Sequence, residues 1–228
     1  MTLPKTLIVH GLDGSPAPHW QHWWAATEAG ALAVDLPAPA CPDPLAWETE
    51  LIGMILRHPD SILVGHSLGA VLIAQLLGSV PDLRVRAALL VAPAEVSLSG
   101  RISAFAPLPE RRLPVPTVLV ASRNDPWMRF GRARDLAKSW GSRFVDQGIA
   151  GHINAAAGYG PWPRGKELRD ALAAETLAPD THVPGFPGPE PKGQGAARPS
   201  LHDAAGLTYG SPSRHDRPRN DRSWARLA

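Results

Sequence analysis

Apolar residues fall into two kinds of run along the first 177 positions. Short runs, rich in apolar and β-branched residues, occupy 6–9, 31–35, 62–64, 86–91, 117–121 and 143–146. Between them, apolar residues recur at three- and four-residue spacing over 19–29, about 43–58, 68–78, 129–140 and 165–177. The first kind predicts strands buried on both faces, and the second predicts helices. Asp43 is a candidate N-cap for the second helix, which carries apolar Leu45, Leu51, Ile52, Ile55 and Leu56. Gly141 is a candidate stop for the fourth. Helices alternating with strands of this kind predict an α/β fold of about six strands, mostly parallel, with helices on both faces. In such sheets the chemistry gathers in the loops just after the strands.

The pattern ends near residue 178. Pro, Gly, Ser, Arg and Asp dominate residues 179–228, with Gly-Phe-Pro-Gly-Pro-Glu-Pro as the clearest run. Such a composition buries too little apolar surface to offset the entropy of ordering. Residues 1–178 are expected to form one folded domain and residues 179–228 a disordered tail.

One strand-to-helix junction carries a recognisable motif. Ile62-Leu63-Val64 leads into Gly65-His66-Ser67-Leu68-Gly69, and an apolar, Ala-rich segment follows at once. G-x-S-x-G between a strand and a helix is a nucleophile elbow. The turn forces the serine into a strained backbone region. The flanking glycines avoid the clashes a Cβ would make where strand and helix nearly touch. Ser67 Oγ would then stand at a helix N-terminus, where unpaired N–H groups favour developing negative charge.

A nucleophilic serine needs a base, and the base needs an orienting acid. After the fifth strand comes Ser122-Arg123-Asn124-Asp125-Pro126, and after the sixth Gly151-His152-Ile153-Asn154. Nucleophile, acid and histidine thus follow in the chain order expected around such an elbow. Ser67 is assigned as nucleophile, His152 as general base and then acid, and Asp125 as the residue that orients the imidazole. Asp146 and Asp35 are the rival acids. For the oxyanion, the backbone N–H of Leu68 supplies one donor. The loop after the first strand supplies the other, with Leu12 the first choice and Asp13 the second. His10 is expected to shape that loop, His66 to pack, and His19, His22 and His58 to be surface or packing residues.

Composition narrows the field further. Formal net charge is +2, with charged residues at 19% and no dense basic face in the first three-quarters of the chain, so no nucleic-acid partner is expected. Cys41 is the single cysteine, which excludes an intrachain disulfide and a cysteine metal cluster. No cofactor or metal is expected. No signal-peptide core or membrane-length apolar run is present, which points to a cytoplasmic protein without a membrane partner.

The motifs together resemble one small family. His10-Gly11, His19-Trp20-Gln21, Gly65-His66-Ser67-Leu68-Gly69-Ala70, Ala121-Ser122-Arg123-Asn124-Asp125-Pro126, Trp140-Gly141-Ser142, Gly151-His152-Ile153-Asn154 and Trp162-Pro163-x-Gly165 are similar to the serine hydrolase family typified by retinoblastoma-binding protein nine and the bacterial YdeN proteins. The resemblance spans roughly residues 3–177. It implies a compact α/β-hydrolase without a large cap, a triad at Ser67, Asp125 and His152, and esterase- or amidase-type chemistry. Two departures stand out. The helix that would carry a Leu-x-Cys-x-Glu motif reads Glu50-Leu51-Ile52-Gly53-Met54, so a retinoblastoma-type partner is not expected. The tail has no counterpart in the family.

The segment 92–116 is too short for a large lid, so a fairly open site is expected, taking small acyl substrates or the ends of larger ones. Trp127 and Trp20 are pocket candidates, although the spacing of Trp20 and Trp23 favours a core-facing stripe for both. A serine hydrolase acting through an acyl-enzyme is the leading reading. A non-catalytic binding or regulatory protein on the same fold and an acyltransferase are the alternatives.

Overall fold

A strand covered on both faces must present apolar side chains at consecutive positions, and the central runs of this chain do so. The computed structural model describes residues 4–177; the tail expected over 179–228 lies outside the described residues. One sheet is built from β1 (Thr6–Val9), β2 (Ala31–Ala33), β3 (Ser61–His66), β4 (Val85–Val91), β5 (Thr117–Ala121) and β6 (Arg143–Asp146). Its strand order is β2-β1-β3-β4-β5-β6 and every neighbouring pair is parallel. Strand number therefore matches expectation, and the sheet is parallel throughout. The helices are α1 (Trp20–Thr27), α2 (Pro44–Arg57), α3 (Leu68–Ser79), α4 (Phe130–Trp140) and α5 (Pro163–Leu177). No described helix is long and apolar enough to cross a membrane.

Strand alternation divides the core in two. Leu63, Ala88, Leu90 and Leu119 point to the face covered by α2, α3 and α4, where Trp47, Leu51, Ile55, Leu136 and Trp140 are buried. Ile62, Val64, Leu89 and Val118 point to the other face, under Trp20, Trp24, Leu168 and Leu172 of α1 and α5. Sequence order reverses direction between β1 and β3, and both strands end there beside the elbow.

Two expectations need correction. On α2 the buried stripe is Trp47, Leu51 and Ile55, spaced by four, whereas Leu45 and Leu56 are 72% and 69% exposed. Trp47 takes the place of Leu45, and its indole N–H reaches Pro37 O at 2.7 Å and closes the loop before the helix. On α1 the stripe is Trp20 and Trp24, one turn apart, not Trp20 and Trp23. Trp23 lies half-buried beneath the Lys166 ammonium, 4.3 Å from its ring centroid. Asp43 does cap α2, accepting from Ala46 N–H at 2.7 Å, and Gly141 closes α4 in the left-handed conformation at φ 70°.

Strand and helix approach closely at the junction of β3 and α3. A Cβ on Gly65 would stand 2.7 Å from the Ala70 backbone, and one on Gly69 would overlap the carbonyl oxygens of Val9 and His10. Both obstacles are backbone, which has no rotamer to give way. Gly131, on α4, has open space around it. Gly69→Ala is therefore expected to destabilise by about 2 kcal/mol or more. Gly131→Ala is expected to stabilise by about 0.5–1 kcal/mol through its helix propensity. Urea unfolding of the two variants should give midpoint shifts of opposite sign; a neutral Gly69→Ala would contradict the close approach.

Candidate active site

Ser67 sits where β3 turns into α3, at φ 55° and ψ −120°. A non-glycine residue in that region is strained. The strain is held by the sheet: Ser67 N–H donates to Val91 O at 3.0 Å, and Ser67 O accepts the first turn of α3 from Ala70 N–H at 3.1 Å. The side chain is thereby lifted off the sheet to the start of the helix.

Two loops are laced together to bring His152 over it. After β5, Ser122 Oγ accepts from Ala150 N–H at 2.9 Å, Asn124 Oδ1 accepts from Gly151 N–H at 2.8 Å, and Arg123 N–H donates to Gly148 O at 2.7 Å. The next residue in each loop completes the ladder. His152 Nδ1–H donates to Asp125 at 2.9 and 3.0 Å to its two oxygens. On the far side of the ring, Nε2 accepts from the Ser67 hydroxyl at 2.8 Å. The His152 and Asp125 side chains are almost fully enclosed. Asp125 Oδ1 also accepts from Trp127 N–H at 2.8 Å, which fixes the carboxylate's orientation.

The rival acids lie elsewhere. Asp146 pairs with Arg123 and accepts from Gly148 N–H at 2.8 Å, so it shapes the loop without touching the imidazole. Asp35 is exposed after β2 and makes no hydrogen bond among the described residues. His152 itself is gripped from below. His66 Nε2–H donates to His152 O at 2.8 Å, and Trp20 Nε1–H donates to Ile153 O at 2.9 Å. Trp20 is fully buried and does not line the cavity beside Ser67, so its candidacy as a pocket wall is withdrawn. It is a strut beneath the histidine loop. Ile153 needs that support, because it is held at φ 48°, a conformation β-branched residues avoid.

Of the oxyanion candidates, Leu12 and Leu68 both line the cavity, and neither backbone N–H has a partner among the described residues. Asp13 N–H is engaged with Pro39 O at 2.8 Å, which removes the second choice. The Asp13 carboxylate instead pairs with exposed Arg101 at 2.5 Å. The loop carrying Leu12 is tied down by Gln21. Its amide N–H group donates to Val9 O at 3.0 Å, and its carbonyl oxygen accepts from Ser15 Oγ at 2.7 Å. His10 Nδ1 lies 2.8 Å from Gly11 O, in keeping with a loop-shaping role.

The cavity has a volume of about 260 Å³. Ala94, Ile102 and half-buried Trp127 provide apolar wall, and His19, His66, His152 and Asn154 provide polar groups. His19 and Gln21 were missed as site-supporting residues in the sequence, as were Ser122 and Asn124. Their neighbours in the motifs were recognisable, but a capping or lacing role depends on the partner loop. His19 caps α1, accepting from Gln21 N–H at 3.1 Å. Its ring packs on His66 with centroids 4.9 Å apart, and His66 packs on His152 at the same separation. Among the described residues no group of His, Cys, Asp and Glu is arranged to hold a metal ion.

Burial, reinforced by repulsion from His152, pushes the His19 pKa down to about 4 and holds His66 well below its ordinary value. In the unfolded chain both rings titrate near 6.5. Below that pH the unfolded state binds more protons than the folded one, so stability falls as pH falls. From pH 6.5 to 5, where carboxylates contribute little, each ring adds a slope of up to about 1.4 kcal/mol per pH unit. Thermal melts across that window should show a steady loss of stability, with a shallower slope in His19→Asn. A flat profile would mean that the rings charge freely in the folded state.

A family model described as serine hydrolase matches residues 6–171. Among solved structures, the chain is similar to a YdeN-like hydrolase from Pectobacterium atrosepticum, with 31% identity, 76% of this chain and 92% of that one covered, and a TM-score of 0.70. It is also similar to the ydeN product of B. subtilis, with 20% identity, coverage of 75% and 99%, and a TM-score of 0.63. A third likeness is to esterase 2 of Thermogutta terrifontis, with 21% identity, coverage of 78% and 85%, and a TM-score of 0.60. Comparison with curated proteins gave no match. The fold, the elbow and the matched model agree: this chain belongs to the serine hydrolase family, within the α/β-hydrolase fold, and its solved relatives include YdeN-like hydrolases.

Proposed function

We propose that the protein hydrolyses small ester or amide substrates through an acyl-enzyme on Ser67. The observation that carries this reading is the unbroken hydrogen-bonded chain from Asp125 through His152 to Ser67, beside two backbone N–H groups that have no partner among the described residues. Ser67 Oγ attacks the acyl carbonyl carbon as His152 Nε2 takes the hydroxyl proton. Negative charge collects on the former carbonyl oxygen, where Leu12 N–H and Leu68 N–H receive it. The imidazolium is favoured by Asp125 and gives its proton to the departing alcohol or amine. Water then enters, loses a proton to His152 and attacks the acyl-enzyme. The carboxylic acid leaves and Ser67 recovers its proton.

Substrate size follows from the walls. A cavity of about 260 Å³ suits a short acyl group, and the segment 92–116 contributes only Ala94 and Ile102 to its lining. Trp127 N–H is bound by the same carboxylate that orients His152, so its indole flanks the reacting centre. We take Trp127 as the apolar acyl wall. We take the cytoplasm as the site of action, a reading supported by the single, exposed Cys41.

An organophosphorus probe tests the central claim. The Thermogutta esterase is described as phosphonylated by cyclosarin, which recommends a fluorophosphonate here. Intact-mass analysis should show one adduct on the wild type and none on Ser67→Ala. A folded wild type that stays unlabelled would favour a binding protein on this fold. Asp125→Asn should keep the fold and lower kcat/KM for a 4-nitrophenyl ester by about 10³-fold or more, because the imidazole loses its tautomer and its counter-charge. Trp127→Ala should slow butyrate esters roughly tenfold more than acetate esters; an equal effect on both would remove it from the acyl wall.

A further inference from the structure

Three imidazoles stand in contact beside Ser67, and two of them have their N–H groups engaged in the machinery. His152 uses Nδ1–H on Asp125 and Nε2 on Ser67. His66 spends its Nε2–H on the His152 carbonyl. His19 is the third. Its Nδ1 accepts from the Gln21 N–H, so that nitrogen carries no proton. The ring is buried and neutral, so its single proton is on Nε2. That N–H has no hydrogen-bond partner among the described residues. Nor is it one of the fully enclosed orphans there, which are Ser61 Oγ and Trp162 Nε1. It therefore opens onto free space, and the space His19 lines is the cavity that holds Ser67.

At His19 the wall of that cavity thus carries a neutral donor with a fixed tautomer on a buried ring. The carbonyl oxygen under attack is already served by Leu12 and Leu68. His66 packs against both His19 and His152, which leaves His19 one ring removed from the relay. Its partner is accordingly an atom of the substrate other than the reacting carbonyl.

We propose that His19 is the polar recognition element of the acyl cavity, its Nε2–H donating to an oxygen acceptor on the acyl group, so that oxygenated short acyl groups (alkoxy-, hydroxy- or ketoacyl) are preferred over alkanoyl groups of the same length. The proposal rests on the reading of Ser67 as nucleophile. Its physical basis is asymmetric. An alkanoyl chain displaces water from the donor and leaves it unpaired, whereas an ether or hydroxyl oxygen at the same point pairs with it. A neutral donor also discriminates against no particular charge, so an ether oxygen suffices.

The test uses the full chain and two 4-nitrophenyl esters that differ by one CH₂-to-oxygen exchange, methoxyacetate and butyrate. The ratio of their kcat/KM values is divided by the ratio of their hydroxide-catalysed hydrolysis rates, which removes intrinsic reactivity. Two variants separate recognition from helix capping. His19→Asn keeps an acceptor near the Nδ1 position and loses the donor at Nε2. His19→Gln keeps an amide N–H near the Nε2 position and loses the cap. The wild type should prefer methoxyacetate by roughly tenfold or more after correction. His19→Asn should melt near the wild type and lose the preference. His19→Gln should melt lower and retain much of it. A corrected wild-type ratio near one overturns the proposal, and that measurement stands even if either variant fails to fold. A preference that survives His19→Asn, or that tracks melting temperature across the variants, reduces His19 to a cap. Fluorophosphonate labelling of the same samples separates the two readings. Labelled Ser67 with no corrected preference removes only the role of His19, while no labelling and no turnover of either ester removes both.

Discussion

The site depends on a backbone conformation that L-residues avoid. Ser67 is at φ 55°, Ala92 just past β4 is at φ 45°, and Ile153 beside His152 is at φ 48°. Each such residue costs about 1–3 kcal/mol and persists only where its surroundings over-determine it. Here the surroundings are the two cores. Ser67 is pinned by a hydrogen bond to Val91, Ala92 by one to Val120, and Ile153 by the indole of fully buried Trp20. The strained residues ring the carboxyl ends of the central strands, where sheet hydrogen bonds run out and helices begin. Burying apolar faces on both sides of a parallel sheet thus supplies the rigidity that a raised serine requires.

Rigidity of a different kind holds His152. His152 is on a loop, and a loop alone would not keep an imidazole 2.8 Å from a hydroxyl. The polar residues after β5 replace a regular ladder: Ser122, Arg123 and Asn124 each bind the histidine loop, and Asp125 is the last rung. The acid that orients the ring is therefore in register with the bonds that position its backbone. Loss of Ser122 or Asn124 would act through geometry and not through charge.

These relations explain what could be read from the sequence and what could not. The alternation of apolar runs gave six strands in their right places, because a doubly covered sheet leaves its mark on every central strand. The elbow was legible because its glycines are forced by backbone, as Gly69 against Val9 and His10 shows. The order Ser67, Asp125, His152 was legible because parallel strands deliver their ends to one edge. The tryptophans were harder. Trp20, Trp24 and Trp47 are buried for their indole donors as well as for their area, and those donors end on Ile153 O, Glu28 and Pro37 O. The partners of Trp20 and Trp47 are distant in sequence or set by the loop path, and helical spacing alone placed Trp20 in the core correctly but misassigned Trp23. His19 was unreadable for a related reason. A histidine before a helix is ambiguous until the capping nitrogen and the opposite wall are both known.

The imidazole cluster also bears on the charge that catalysis would create. In the reading developed above, His152 becomes cationic each time Ser67 is acylated or released. A second cation within van der Waals reach would oppose that step, since like charges disfavour each other strongly in a low-dielectric site. His66 packs on His152 and His19 packs on His66, yet burial holds both neutral near physiological pH. They supply donors, to the His152 carbonyl and to the cavity, without supplying charge. Asp125 is then the charged group bonded to the ring, and its carboxylate is enclosed with it. Lysine or arginine could donate at either position but would remain charged and raise the cost of forming the imidazolium. Neutral, buried histidines satisfy both demands, and the same burial explains why they contribute an acid-side loss of stability.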